Sequence, residues 1–172
     1  MPEINTSVDP AASDYEAKIS QEAALLARRS MRVGPEPFGD PLSGVLLVLE
    51  RKVGVDNARL VDALCRSLAA VKLDRAYVTW SSPYLLEELL SLEPGALVVV
   101  GPAAARSIDS LDYPLAKTGF SEAPEGSWFT WKRGTLGLRL PALSSALDDA
   151  SAKRRFWRAF LALRALGPNE NP

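Results

Sequence analysis

Histidine is absent from this 172-residue chain, and cysteine occurs once, at Cys65. Without an imidazole there is no Ser-His-Asp triad, no Cys-His pair and no histidine-ligated metal. A single thiol excludes an intramolecular disulfide, a cysteine-ligated zinc site and a four-cysteine iron–sulfur cluster. Long apolar runs are also missing: the longest, GALVVVG, is far too short to cross a bilayer. The start, MPEINTSVDPAASDYE, has neither the basic region nor the apolar run of a signal peptide, so a cytoplasmic protein with no membrane contact is expected. A formal net charge of −1 gives no global electrostatic case for nucleic-acid binding, although a local basic patch stays open.

What is present is an ordinary globular balance of 47% apolar and 24% charged residues, enough in one domain to bury a real core. From Leu42 onward, strand-like and helix-like stretches alternate. GVLLVLE (44–50), DRAYVTW (74–80) and ALVVVG (96–101) read as strands, the first and third as runs buried on both faces. Between and after them lie helices over about 55–73, 82–95 and 102–111. This order predicts an α/β three-layer sandwich with a mainly parallel central sheet flanked by helices. SWFTWKR and TLGLRLP then meet at Arg133-Gly134 as a hairpin or as adjacent strands, and a last helix runs from about Ser151 to Leu166. Cys65 falls on the Leu60/Leu64/Leu68 side of its helix and is expected in the core.

The first forty-one residues read as a separate unit, a tail with one helix and a linker, followed by a domain over 42–167 and a polar tail at 168–172. Ser13 or Asp14 is placed to cap the helix SDYEAKISQEAALLARRSM, and VGPEPFGDP follows as a linker. Tyr15, Ile19, Leu25 and Leu26 form a partial apolar stripe, with Arg28 and Arg29 near the end and Phe38 in the linker. Such a helix either docks on a partner, with these residues as contacts, or packs on its own domain.

No stretch carries a recognisable reaction. VVVGPAAAR lacks both GxGxxG and the P-loop lysine, so Gly101 marks an ordinary strand-to-helix turn. Asp148 and Asp149 suit the start of the last helix, and Glu87 and Glu88 a solvated helix face. That last helix mixes Phe156, Trp157, Phe160, Leu161 and Leu163 with Lys153, Arg154, Arg155 and Arg158. The basic residues are candidates for phosphate contact, while the aromatic spacing favours a core-facing stripe that includes Trp157. Trp128 and Trp131 lie on opposite faces of one strand, so one is an interface candidate unless the preceding loop covers it.

SPYLLEELLSLEPGALVVVGPAAARSI resembles the middle of the uracil-DNA glycosylase fold, and LRLPALSSALDDASAKRRFW falls where those enzymes keep a strand, a histidine-bearing loop and a final helix. Here Pro141-Ala142-Leu143-Ser144-Ser145 occupies the loop without the histidine, and LERKVGVDN stands in place of the water-activating segment. Over about residues 42 to 165 the chain is similar to the psi subunit family of bacterial DNA polymerase III, catalytically inert relatives of that fold, most closely in LLVLERKVGVDNARLVDALCRSLAAV and LRLPALSSALDDASAKRRFWRAF. The resemblance implies a non-enzymatic adaptor that needs no cofactor, metal or small-molecule substrate. Its body would hold a chi-like subunit, which contacts single-stranded-DNA-binding protein, and its N-terminal segment would dock on the clamp-loader collar. Residues 1 to 40 lack the tryptophan typical of that segment, so Tyr15, Ile19, Leu25, Leu26 and Phe38 would have to serve. The alternatives are a divergent glycosylase working through Asp56, Ser144 and Ser145, and a DNA-binding module built on the basic last helix.

Overall fold

The computed structural model describes residues 9–30, 36–50 and 57–166. Five strands form one sheet: β1 (Val45–Leu49), β2 (Tyr77–Trp80), β3 (Ala96–Val100), β4 (Phe129–Lys132) and β5 (Thr135–Leu140). Their order is β2-β1-β3-β5-β4, with parallel pairing everywhere except the β4–β5 hairpin. The predicted α/β architecture is therefore the observed one.

Strand periodicity sorts the core into two halves. In β1, Leu47 and Leu49 join one apolar cluster while Leu46 and Val48 join the other. Both faces are covered, which is why β1 and β3 read as continuous apolar runs rather than alternating ones. Helices α2 (Asn57–Ala70), α5 (Leu143–Ala146) and α6 (Ala150–Phe160) cover the first face, with a 3-10 segment at Leu161–Leu166. Helices α1 (Pro10–Ser30), α3 (Leu85–Leu92) and α4 (Pro102–Asp109) cover the second.

Helix α1 belongs to the domain rather than standing off from it. Ile19, Ala23 and Leu26, spaced at i, i+4 and i+7, are buried, with Ile19 and Ala23 in the same apolar cluster as Leu85, Leu89 and Leu92 of α3. The helix also starts earlier than Ser13: Asp9 accepts from the backbone N–H of Ala11 at 3.1 Å, so Asp9 supplies the cap. Beyond it, Phe38 pairs antiparallel with Val78, with N–H to O distances of 3.0 and 2.7 Å. The segment read as a linker thus blunts the exposed edge of β2.

Two further expectations are corrected. Cys65 is exposed on α2, because Leu60, Leu64 and Leu68 turn inward and leave it one position off their stripe. Glu88 is 1% exposed, buried on the same face of α3 as Leu85, Leu89 and Leu92, and not solvated. Among the described residues, no helix is long and apolar enough to cross a membrane.

Candidate functional site

In a parallel α/β sheet, ligands sit beyond the carboxyl ends of the strands, where the strand order reverses. Here that position lies between β1 and β3, whose next residues are Glu50 and Gly101. Gly101 has φ = 94° and leads directly into α4, whose first turn contains no acidic residue of its own. Glu50 supplies one from across the sheet: its Oε1 accepts from the backbone N–H of Ala103 at 2.8 Å. A carboxylate is thereby placed at the helix N-terminus, where a bound anion would otherwise sit. The approach is close enough that a Cβ on Gly101 would fall 2.1 Å from Oε1. The turn binds an anion, and the anion is the chain's own.

The loop after β5 closes the same crevice from the other side. Pro141 is buried, and Leu143-Ser144-Ser145-Ala146 folds as one turn of helix, α5, rather than remaining a loop. Leu143 and Ala146 point into the core. Among the described residues, Leu49, Glu50, Val100, Leu143 and Ser144 leave only about 10 Å³ of water-accessible space between them, roughly one water molecule's worth. Ser144 is half-buried at that gap and Ser145 faces solvent; Asp56 lies outside the described residues. Glu50 is the described acid that lines this gap with Ser144, and Ser145 does not line it. Asp149 caps α6 by accepting from the N–H of Ser151 at 3.0 Å, as its position promised. Asp148 instead pairs with Arg59 of α2 at 2.9 Å.

The interface candidates divide by exposure. Leu25 (49% exposed), Arg28 and Arg29 lie on the outer side of α1, whereas Tyr15 (55% exposed) lies one turn before Ile19 on the inward stripe and donates its hydroxyl to Glu93 of its own domain at 3.3 Å. Ile19 and Leu26 are buried in their own domain, and Phe38 is half-buried beside Val78, with which it pairs. Trp131 is 2% exposed, covered by Tyr113 and Phe120 at ring-centroid distances of 4.8 and 6.0 Å. The preceding loop therefore does fold over it. Trp128 is half-buried and donates its indole N–H to the carbonyl of Ala162 at 3.0 Å.

On α6, Lys153, Arg154, Arg155 and Arg158 all face solvent. Arg155 is held by a two-pronged contact to the Glu125 carboxylate, with nearest distances of 2.7 Å to both oxygens. That pairing removes it from a free basic surface. Trp157 is not the core residue its spacing implied: it stacks on Phe160 at 5.7 Å yet stays 37% exposed. Phe156, Phe160 and Leu163 already fill the face toward the sheet, and Trp157 is left at the margin of the stripe. Among the described residues, no group of acidic, cysteine or histidine side chains is arranged to hold a metal ion.

No family model matches the chain, and no curated protein matches it significantly.

Proposed function

We propose that this chain is a non-enzymatic adaptor, a psi-like subunit of a bacterial DNA polymerase III assembly that works in the cytoplasm and bridges the clamp-loader collar to a chi-like partner. The observation that carries the reading is the crevice beyond β1 and β3. Glu50 occupies its anion position, Leu143 lies at its mouth, and one water's worth of space is left. An enzyme built on this sheet would need that volume for substrate. The sequence resemblance to the psi family, over about residues 42 to 165, supplies the assembly and the partners.

Bridging requires two separate faces, and the fold offers them. The exposed residues of α1, Leu25, Arg28 and Arg29 with Tyr15 at the margin, lie across the sheet from α2 and α6. A partner on each layer would be held close to the other and at raised effective concentration. The collar is assigned to the α1 side, as the resemblance implies for the N-terminal segment.

The test is direct binding of the purified chain to purified clamp-loader complex, followed by biolayer interferometry. Saturable binding is expected, weakened on the order of tenfold by Tyr15→Ala combined with Leu25→Ser. No binding, or binding indifferent to both substitutions, contradicts the assignment.

A further inference from the structure

A groove runs along the outer surface between α2 and α6. Its floor is apolar, formed by Leu143, Ala146 and Leu147 with the edge of Phe156, and Trp157 makes one wall. It encloses about 390 Å³, against about 10 Å³ in the crevice at the sheet end. That is room for one or two large apolar side chains, within the range of ordinary ligand pockets. Trp157 is braced by stacking on Phe160 with the ring planes 20° apart, so contact with a ligand would cost little side-chain freedom.

The rim carries Arg59, Arg66 and Lys153. Arg59 is fixed toward the groove by two contacts, to Asp148 at 2.9 Å and to the Leu147 carbonyl at 3.0 Å. Arg66 pairs with Asp62 one helical turn away at 3.1 Å, with both side chains largely in solvent. Exposed pairs of this kind are weak, and their cations are readily shared with a second carboxylate. Lys153, between them and Trp157, has no ion-pair partner among the described residues. With Asp62 and Asp148 beside these three cations, the groove keeps a net excess of one positive charge, carried by Lys153, over an apolar floor, and this complements a segment that sets acidic residues beside a bulky apolar one.

We infer that the α2–α6 groove is a docking site for a short acidic segment of another protein, which inserts a Trp, Phe or Leu side chain against Trp157 and sets its carboxylates on Arg59, Arg66 and Lys153. This goes beyond the adaptor assignment and does not require that the partner belong to the replication machinery. Negative charge favours encounter, and the apolar insertion sets the lifetime of the complex.

The experiment selects random dodecapeptides displayed on phage against the full-length chain, then titrates fluorescein-labelled copies of the enriched sequences by anisotropy. Enriched peptides are expected to place two or more Asp or Glu beside a large apolar residue. Lys153→Glu, at an exposed position that leaves the core untouched, is expected to weaken binding on the order of tenfold, and Trp157→Ala at least as much. Raising NaCl to about 0.5 M is expected to weaken it further, whereas Lys18→Glu on α1 leaves it unchanged. Four outcomes overturn the inference: enrichment of basic or neutral peptides; binding indifferent to both groove substitutions; self-association of the chain abolished by Trp157→Ala, which gives the groove to a second copy; or a single-stranded oligonucleotide that displaces the peptides and is itself lost in Lys153→Glu.

Discussion

The carboxylate of Glu50, one residue past β1, accepts a 2.8 Å hydrogen bond from the backbone N–H of Ala103 in the first turn of α4. This contact joins two crossovers at the point where a functional site is expected and fills that site with a side chain. Glu50→Ala removes a charged helix cap and is expected to cost about 1–2 kcal/mol in urea denaturation. Gly101→Ala is expected to cost about 1–3 kcal/mol, from the strained φ of 94° and the collision with Glu50. Because the collision disappears when Glu50 is shortened, the double variant should lose about 1 kcal/mol less than the sum of the two. Strict additivity would show that the two residues do not share the site.

Glu88 makes stability depend on pH. It is buried on α3, neither carboxylate oxygen has a hydrogen-bond partner, and burial raises its pKa from 4.5 to about 7, with a smaller contribution from Glu87. The Thr79 hydroxyl, outside hydrogen-bonding geometry, offsets only part of this. Well below pH 4.5 the group is neutral in both states and its ionisation adds nothing to the cost of burying it. Between 4.5 and about 7 the unfolded chain ionises while the folded one keeps its proton, so this group lowers stability by about 3 kcal/mol across that window. Glu88→Gln should therefore gain stability relative to the wild type between pH 5 and pH 8, read as a shift in urea midpoint. An equal difference at the two pH values contradicts the assignment.

Helix α1 offers paired neighbours with opposite fates. Leu26 is 6% exposed and Leu25 is 49% exposed. Leu26→Ala should destabilise the protein by about 2–3 kcal/mol, whereas Leu25→Ser should stay within about 0.5 kcal/mol of the wild type in thermal unfolding. Deleting the first forty residues would strip Ile19 and Ala23 out of the cluster they share with α3, so surface substitutions are the sound way to probe this face.

Cys65 should react with Ellman's reagent in the folded chain, to the same extent as after denaturation. Burial, chiefly, and the neighbouring Asp62 carboxylate hold its pKa above the ordinary thiol value. The rate should accordingly lie below that of free cysteine at pH 8 and climb with further increase in pH. A thiol that reacts only after denaturation would return it to the core.

The sheet was legible because β1 and β3 are apolar on both faces, and only a parallel sheet between two helical layers asks for that. The caps at Asp149 and the hairpin at Arg133-Gly134 follow from local chemistry and fell where expected. Position on a helical stripe was less informative. Cys65 and Trp157 each lie one step from the buried stripe, and a helical wheel cannot say how wide the covering layer will be. The Glu50–Ala103 contact was invisible in the sequence, since its partners are 53 residues apart and neither belongs to a motif. For Glu88 a signal was present: it falls at i+3 from Leu85 and four residues before Leu92, on the apolar side of α3.

If the chain works by holding other proteins, affinity purification of the tagged full-length chain from its native cell, with quantitative mass spectrometry, will recover them. Clamp-loader components are expected to be enriched together with a chi-like or single-stranded-DNA-binding protein, with the clamp-loader signal reduced when Tyr15→Ala and Leu25→Ser are introduced together. Recovery of neither class from cells that express the tagged chain at its natural level would contradict the adaptor assignment.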